Sequence, residues 1–503
     1  MTQVHEHIER ILDEQPGRTV GVVVQMGAPG LEAADVRAAV KDIEERFLAA
    51  DARAVLPEPV RAARAAASAA GADGGGVPIA RPPTPRFVHR PSTGPVTRSG
   101  RPRQESVDEI RRDNQAVLEP LLANDVVRSA RGGRTGALWV ARSAYVELDR
   151  DDLARLPREV PGIRAVDHGG TVQVPPFTEA RELAPAILDN STASWGIEAS
   201  GALAVWGAYG VRGAGVTVGV LDTGVDPTHP DLAGKVRLWG EFTAEGGQVA
   251  DSQAHDTGTH GTHVCGTIAG GNAGGQWIGM APEADLAVGM VLKGGSGTSD
   301  QVLAGIAWAV EQGVDVLSLS LSSATFGHAS PSLYSEAFIT CLRAGIPVVA
   351  AIGNRGEQTG GTTGSDLFAY AVGAVDHAGR PAGFSGGHTQ MYQPSPDEAP
   401  IYYFKPDVSA PGVAVVSSIP GGLWKANNGT SMATPHVAGA IALLLSAVPA
   451  IRTGLTGVDR VVFIQKVLSG SVDDLGEAGH DSRYGHGRLN VLRAIALARQ
   501  AGL

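Results

Sequence analysis

Val216-Thr217-Val218-Gly219-Val220-Leu221, closed by Asp222, is the stretch on which the fold turns. It is short, almost wholly apolar and rich in β-branched side chains, the pattern of a strand buried on both faces. Four more runs of this kind follow: Leu286 to Met290, Val314 to Leu319, Pro347 to Ile352 and Tyr370 to Val375. Helical periodicity lies between several of them, including Val302 to Glu311 and Ser335 to Ala344. The alternation predicts an α/β fold, a parallel sheet flanked by helices on both faces. Such sheets bind ligands at the carboxyl ends of their strands, so residues just past each run matter most for chemistry.

Three strand ends carry suitable polar residues. Asp222 follows the first run, His260 stands in Asp256-Thr257-Gly258-Thr259-His260-Gly261-Thr262-His263-Val264, and Asn354 follows Ile352-Gly353. A fourth residue, Ser431, lies in Gly429-Thr430-Ser431-Met432-Ala433-Thr434-Pro435-His436-Val437-Ala438-Gly439, where a turn-prone approach meets an apolar run ending near Val448. That junction predicts a helix with Ser431 at its N-terminus and Pro435 in its first turn, where a missing N–H costs nothing. Taken singly, Ser431 is a helix cap and Asp222 a turn cap. Taken together they are the parts of acyl transfer. A hydroxyl is a weak nucleophile and needs an imidazole, His260, to take its proton and return it to the leaving amine. The imidazole needs an orienting carboxylate, Asp222. The tetrahedral oxyanion needs donors, which the Asn354 amide and the Ser431 backbone N–H can supply.

Asp222-Thr223-Gly224-Val225-Asp226, the His260 segment and Gly429 to Pro435 resemble the three active-site motifs of the subtilisin-like serine proteases, in that family's order Asp, His, Ser. Ala351-Ile352-Gly353-Asn354 resembles its oxyanion-hole segment, and the likeness covers roughly Trp195 to Leu497. It implies an endopeptidase with Asp222, His260 and Ser431 as triad, Asn354 in the oxyanion hole and polypeptide substrates. An extended peptide would pair with two edge segments, containing Ser296 and Gly297 on one side and Ser320, Leu321 and Ser322 on the other. Ser322 and Ser323 stand where many relatives have two glycines. Some relatives hold calcium near the loop corresponding to Gly271 to Trp277. Here that loop offers few oxygen side chains beyond a nearby Asp231, whereas calcium takes six or more oxygens, so the expectation is no cofactor and no metal site. His263 reads as structural, Asp226 and Asp231 as turn residues, and Asp407 as part of a family segment without a catalytic role.

The region before Pro175 reads as a smaller α+β unit. Val20 to Met26 is strand-like, Val36, Val40, Ile43 and Phe47 recur at helical spacing, and Ser106 with Glu109 makes a capping box before a helix. Leu138 to Leu148 is strand-like, Asp151 to Leu156 a short helix, and Arg164 to Val174 holds two strand-like pieces around Gly169-Gly170. Between these halves the chain turns to Ala, Gly, Pro and Arg, the composition of a flexible basic linker. The expected division is 1–56 and 106–176 as the two parts of the unit, 57–105 as an insertion, 177–194 as a joint and candidate processing region, and 195–503 as the catalytic domain. From Ala144 to Val174 this unit resembles the family's ferredoxin-like inhibitory prodomain, which implies a zymogen whose own N-terminal part is a partner of the cleft.

Composition bounds the rest. At 503 residues two domains are expected, and 43% hydrophobic content allows a sizeable core. The 67 glycines imply many tight turns. A net charge of -11 argues against nucleic acid or an anionic membrane as the main partner. Cys265 and Cys341 could form one bridge, but two reduced, buried thiols suit so large a chain. The longest apolar run, Val437 to Val448, is too short to span a bilayer, and the first thirty residues lack the apolar core of a signal peptide. The expectation is a cytoplasmic protein, with another export route left open. Two other functions fit parts of the pattern: an autoinhibited peptide-binding module on the same fold, and a lipase or esterase. The latter would need Gly-x-Ser-x-Gly around the nucleophile, where this chain has Gly-Thr-Ser-Met-Ala.

Overall fold

The computed structural model describes residues 3–4, 8, 12–13, 20–26, 106–130, 137–168, 171–183, 192–325, 333–392 and 401–503. At its centre is a seven-stranded sheet in the order Val408–Pro411, Tyr370–Val375, Val348–Ala351, Val316–Leu319, Thr217–Asp222, Asp285–Met290, Val236–Glu241. Every neighbouring pair is parallel. The five expected runs are the five inner strands. The two outer ones were not legible: Val236–Glu241 is half-exposed and carries Arg237 and Glu241, while Val408–Pro411 is four residues ending in proline.

Side chains alternate across the sheet, as a pleated strand requires. Val218 and Val220 enter a core shared with the helices His260–Ala269 and Thr430–Ala447. Leu221 enters the opposite core with the helices Ser299–Glu311 and Ser335–Arg343. Both faces are therefore covered, and the strands read as continuous apolar runs for that reason. Chain order reverses beside Thr217–Asp222, which puts a crevice at its carboxyl end. Among the described residues, Thr430–Ala447 is the one helix long and apolar enough to cross a membrane, and 94% of it is buried inside the protein. A helix apolar on all sides is what a central core position demands. Burial of Leu443, Leu444 and Leu445 contributes roughly 1.5–3 kcal/mol each towards holding that helix in place.

Pro435 is not in the first turn. The helix begins at Thr430, so the proline lies inside it, and it cannot donate to the Ser431 carbonyl one turn back. The Ser320 hydroxyl donates to that carbonyl instead, at 3.0 Å, joining the helix start to the end of a central strand.

The N-terminal unit has its own five-stranded sheet, ordered Gln3–Val4, Ile163–His168, Val20–Met26, Ser143–Leu148, Ala137–Leu138. The helices Val107–Ala123 and Arg150–Glu159 accompany it, with the Ser106/Glu109 capping box formed and Asp149 capping the second helix. Ile8, Val22, Val24, Leu118, Leu121, Val146 and Val166 belong to its separate core. The helical spacing at Val36 to Phe47 and the stretch 57–103 lie outside the described residues. Leu138 to Leu148 is not one strand. A 3-10 turn at Trp139–Ala141 interrupts it, and Arg142 follows with φ 48°. The interruption is an anchor: Trp139, Val140 and Ala141 are buried in the core of the larger part, beside the helices 299–311 and 335–343. Thr340 Oγ1 donates to the Val140 carbonyl at 2.8 Å, and Trp139 Nε1 donates to Glu311 Oε1 at 3.2 Å.

Two further strands leave the small unit. Thr171–Gln173, expected to complete it, pairs instead with Ser296–Thr298, and Thr178–Leu183, expected to be a loose joint, pairs with Leu423–Asn428. Both findings are tertiary: each segment is too short to reveal its partner.

Candidate active site

Asp222 is the last residue of the strand Thr217–Asp222, and Asn354 comes three residues after the strand Val348–Ala351. His260 is not at a strand end; it is the first residue of the helix His260–Ala269. It reaches Asp222 because two glycines let the chains touch. A Cβ on Gly261 would stand 2.0 Å from the Gly224 carbonyl oxygen, and one on Gly224, at φ 116°, would stand 2.0 Å from the His255 carbonyl oxygen. Thr223 and Asp256 pin this junction. Thr223 Oγ1 donates to Asp256 Oδ1 at 2.7 Å and accepts from Gly261 N at 2.9 Å, while Asp256 Oδ2 accepts from Thr262 N at 2.9 Å.

His260 Nδ1 lies 2.8 and 3.0 Å from the two oxygens of Asp222, both residues being buried. A carboxylate only accepts, so Nδ1 carries the proton and Nε2 presents its lone pair. That Nε2 is buried and has no hydrogen-bond partner among the described residues. His263 is placed as structure: its Nε2 donates between the carbonyls of Val415 and Lys425, at 3.1 and 3.0 Å, and burial pulls its pKa down to about 3.

Ser431 is wholly buried in the first turn of its helix, with Oγ 3.4 Å from the Ser320 carbonyl. Thr430 orients Asn354. Its backbone N–H and its hydroxyl both donate to Asn354 Oδ1, at 2.8 and 2.7 Å, so Nδ2 must face the cleft. Nδ2 donates to the Pro176 carbonyl at 2.8 Å.

The cleft therefore contains the chain's own residues 171–177. Gln173 and Ser322 exchange backbone hydrogen bonds of 3.2 and 3.0 Å, Val172 is paired with Gly297, and Val174 N donates to the Gly295 carbonyl at 3.0 Å. Phe177 then lies beside His260, ring centroids 5.2 Å apart. Of the expected peptide-contacting residues, Ser296, Gly297 and Ser322 meet this strand. Ser320 braces the Ser431 helix, and Leu321 is buried with its carbonyl accepting from Thr363. Sequence reasoning missed Thr223, Asp256 and Thr430, which lie inside the quoted motifs, and Pro175-Pro176, whose doubled proline was the available signal.

The calcium question turns on Asp231. It faces the loop 271–277, but Oδ1 accepts from Ala273 N at 2.6 Å and Oδ2 from Trp424 Nε1 at 2.7 Å. Both carboxylate oxygens of Asp231 are thus engaged by protein donors. Asp226 serves the turn, accepting from Thr228 and from Gly421 N. Cys265 and Cys341 are free and buried, and burial raises both thiol pKa values.

A parallel sheet covered on both faces, with a buried imidazole–carboxylate pair and a serine in the first turn of a central helix, has the parts of a serine hydrolase. Residues 213–487 match the model of the subtilase family. Subtilisin E of Bacillus subtilis (strain 168) is 37% identical over 290 residues, 57% of this chain and 67% of that protein. Subtilisin DY of Bacillus licheniformis is 35% identical over 289 residues, 56% of this chain and 92% of that protein. The major intracellular serine protease of Bacillus subtilis (strain 168) is 36% identical over 270 residues, 52% of this chain and 77% of that protein. The chain belongs to the subtilase family and is a serine-type endopeptidase.

Proposed function

We propose that Ser431, His260 and Asp222 form the catalytic triad, that Asn354 and the Ser431 N–H form the oxyanion hole, and that the chain is made as a zymogen blocked by its own residues 171–177. In the reaction, Ser431 Oγ attacks the substrate carbonyl carbon while His260 Nε2 takes the hydroxyl proton. Asp222 holds the imidazolium, and the oxyanion accepts from Asn354 Nδ2 and Ser431 N. Collapse passes the proton from Nε2 to the leaving amine, and water then releases the acyl group by the same steps.

The observation that carries this reading is the Pro176 carbonyl, a peptide carbonyl 2.8 Å from Asn354 Nδ2. The doubled proline explains why the seated peptide inhibits. The register that pairs Gln173 with Ser322 puts Pro175 opposite Ser320, and a proline has no N–H to offer the Ser320 carbonyl. That carbonyl faces the Ser431 hydroxyl instead, and His260 Nε2 is left without it.

The test compares fluorophosphonate labelling of the intact chain, the chain nicked within 184–191, after the blocking segment, and Ser431→Ala. Slow labelling of the first, fast labelling and casein turnover by the second, and none of the third are expected. Equal labelling of wild type and Ser431→Ala refutes the nucleophile. Equal rates before and after nicking with the N-terminal unit removed refute the zymogen. No turnover in either state favours a peptide-binding role.

A further inference from the structure

The segment that fills the cleft does not leave the catalytic part at Phe177. Thr178–Leu183 is a six-residue strand antiparallel to Leu423–Asn428, with Thr178 opposite Asn428, Glu179 opposite Asn427, Glu182 opposite Lys425 and Leu183 opposite Trp424. The register shifts once, between Lys425 and Asn427. Counted from the Pro176 carbonyl on Asn354, these are the second to the seventh residues after the bond that follows that carbonyl.

Leu423–Asn428 itself belongs to the catalytic part. One of its edges is paired with Val415–Ile419, and its C-terminal end runs through Gly429 into the helix that carries Ser431. Side chains and backbone of the same part fix it in place. His229 Nε2 donates to the Leu423 carbonyl at 2.9 Å, the Trp424 indole donates to Asp231 at 2.7 Å, and Asn428 Oδ1 accepts from Ala414 N at 2.6 Å. None of these bonds involves the N-terminal segment. When 178–183 departs, the strand therefore keeps its shape and presents an edge of unpaired N–H and C=O groups, a template for another extended chain. A preformed edge needs no ordering of its own when it binds.

We propose that Leu423–Asn428 is a binding strand for the leaving-group side of polypeptide substrates, pairing with them as far as the seventh residue after the cut. The proposal rests on the active site proposed above and names its substrate class, long extended polypeptide rather than short peptides. The direction of the blocking segment supports it. Residues before the Pro176 carbonyl pair with Ser296–Thr298 and Ser322, and residues after it pair with Leu423–Asn428, so one continuous chain crosses the site with an edge on each side. Main-chain pairing is indifferent to side chains, so any segment that can extend fully can replace the blocking one. Alternate residues of an antiparallel pair exchange hydrogen bonds, so lengthening a substrate from two to seven residues after the cut adds about two to four of them. Each is modest against water, which puts the total gain in kcat/KM at roughly 10- to 100-fold.

The experiment uses the full chain nicked within 184–191 and peptides identical up to the cut, ending two, four, seven or ten residues after it, with cleavage followed by chromatography. The N-terminal fragment competes equally with every peptide, so ratios of kcat/KM are unaffected by it. The expected result is a rise to the seven-residue peptide and a plateau beyond. N-methylation of the backbone at residues four to seven should remove most of the gain, whereas alanine at the same positions should leave it. A flat series overturns the proposal and leaves the strand as a seat for the chain's own N-terminal segment alone. A gain that survives N-methylation, or is lost with alanine, overturns backbone pairing as its cause. In each of these cases the peptides are still cut and the active site stands. Failure to cut any peptide or casein overturns the proposed active site, and this proposal with it.

Discussion

Glu336 is where the N-terminal unit can be loosened with one substitution. It lies in the helix Ser335–Arg343 of the catalytic part, its side chain 5% exposed. Two guanidiniums from the N-terminal unit meet it: Arg164 at 2.7 Å and Arg142 at 3.5 Å. Arg142 is itself held by Asn114 at 2.9 Å, and Asn114 by Thr340 at 3.1 Å, so one buried network spans the interface. Glu336→Gln removes the carboxylate that both guanidiniums share. Breaking a buried pair from one side costs about 3–5 kcal/mol. Arg164 is 17% exposed and recovers some hydration, so we take the lower end, about 3 kcal/mol. That is roughly a 100-fold rise in the fraction of molecules with the unit undocked. If undocking frees the cleft, fluorophosphonate labelling of the intact chain should accelerate by about that factor until it reaches the rate of the nicked protein. Arg164→Met alone should give a smaller increase, and the double variant should be less than additive. Unchanged labelling in Glu336→Gln, with thermal unfolding of the catalytic part also unchanged, would refute the view that this network holds the unit on the cleft.

Asn354→Ala should lower kcat of the activated enzyme about 100- to 1,000-fold with little change in KM, the cost measured for the corresponding donor in subtilisin rather than one worked from these distances. His263 and His436 predict acid sensitivity: burial lowers their pKa values from 6.5 to about 3 and about 4. Between pH 6.5 and about 4 the unfolded chain binds these two protons and the native chain does not. Stability should therefore be fully present above pH 6.5 and fall below it by up to about 2.7 kcal/mol per pH unit, checked by urea midpoints; a flat profile would contradict the burial argument. Asp300 has the opposite sign. Burial raises its carboxyl to about 7, and Oδ1 has no partner among the described residues, so its contribution is full below pH 3.8 and lost as pH rises through 7. Asp300→Asn should raise the melting temperature at pH 8, by the equivalent of about 2–4 kcal/mol, and leave it nearly unchanged at pH 4. Equal effects at both pH values would show that the gain is not electrostatic.

Much of the catalytic part was legible because its elements are long, periodic and buried. The inner strands are apolar on both faces, and the helix carrying Ser431 is apolar all round because it crosses the middle of the core. Of the outer strands, Val236–Glu241 was missed because it is half-exposed and mixes Arg237 and Glu241 with its apolar residues, and Val408–Pro411 because it is only four residues long and ends in proline. Leu138 to Leu148 read as one strand because the residues that anchor the unit, Trp139 to Ala141, are as apolar as the strand beyond them. Periodicity cannot separate a residue buried in its own sheet from one buried in a neighbouring domain.

At the candidate site, residue types and their order along the chain determined which side chains could do acyl transfer, because that chemistry needs one hydroxyl, one imidazole, one carboxylate and an amide donor. The sequence also carried the glycines, Gly224 and Gly261, that let those groups meet. Only the tertiary structure decided which tautomer His260 holds, which face of Asn354 is presented to the cleft, and that Pro176 sits against it. Those are questions of which partner fills a hydrogen bond, and the partners lie between 38 and 178 residues apart. Local sequence sets what a side chain can donate or accept; long-range packing sets what it finds.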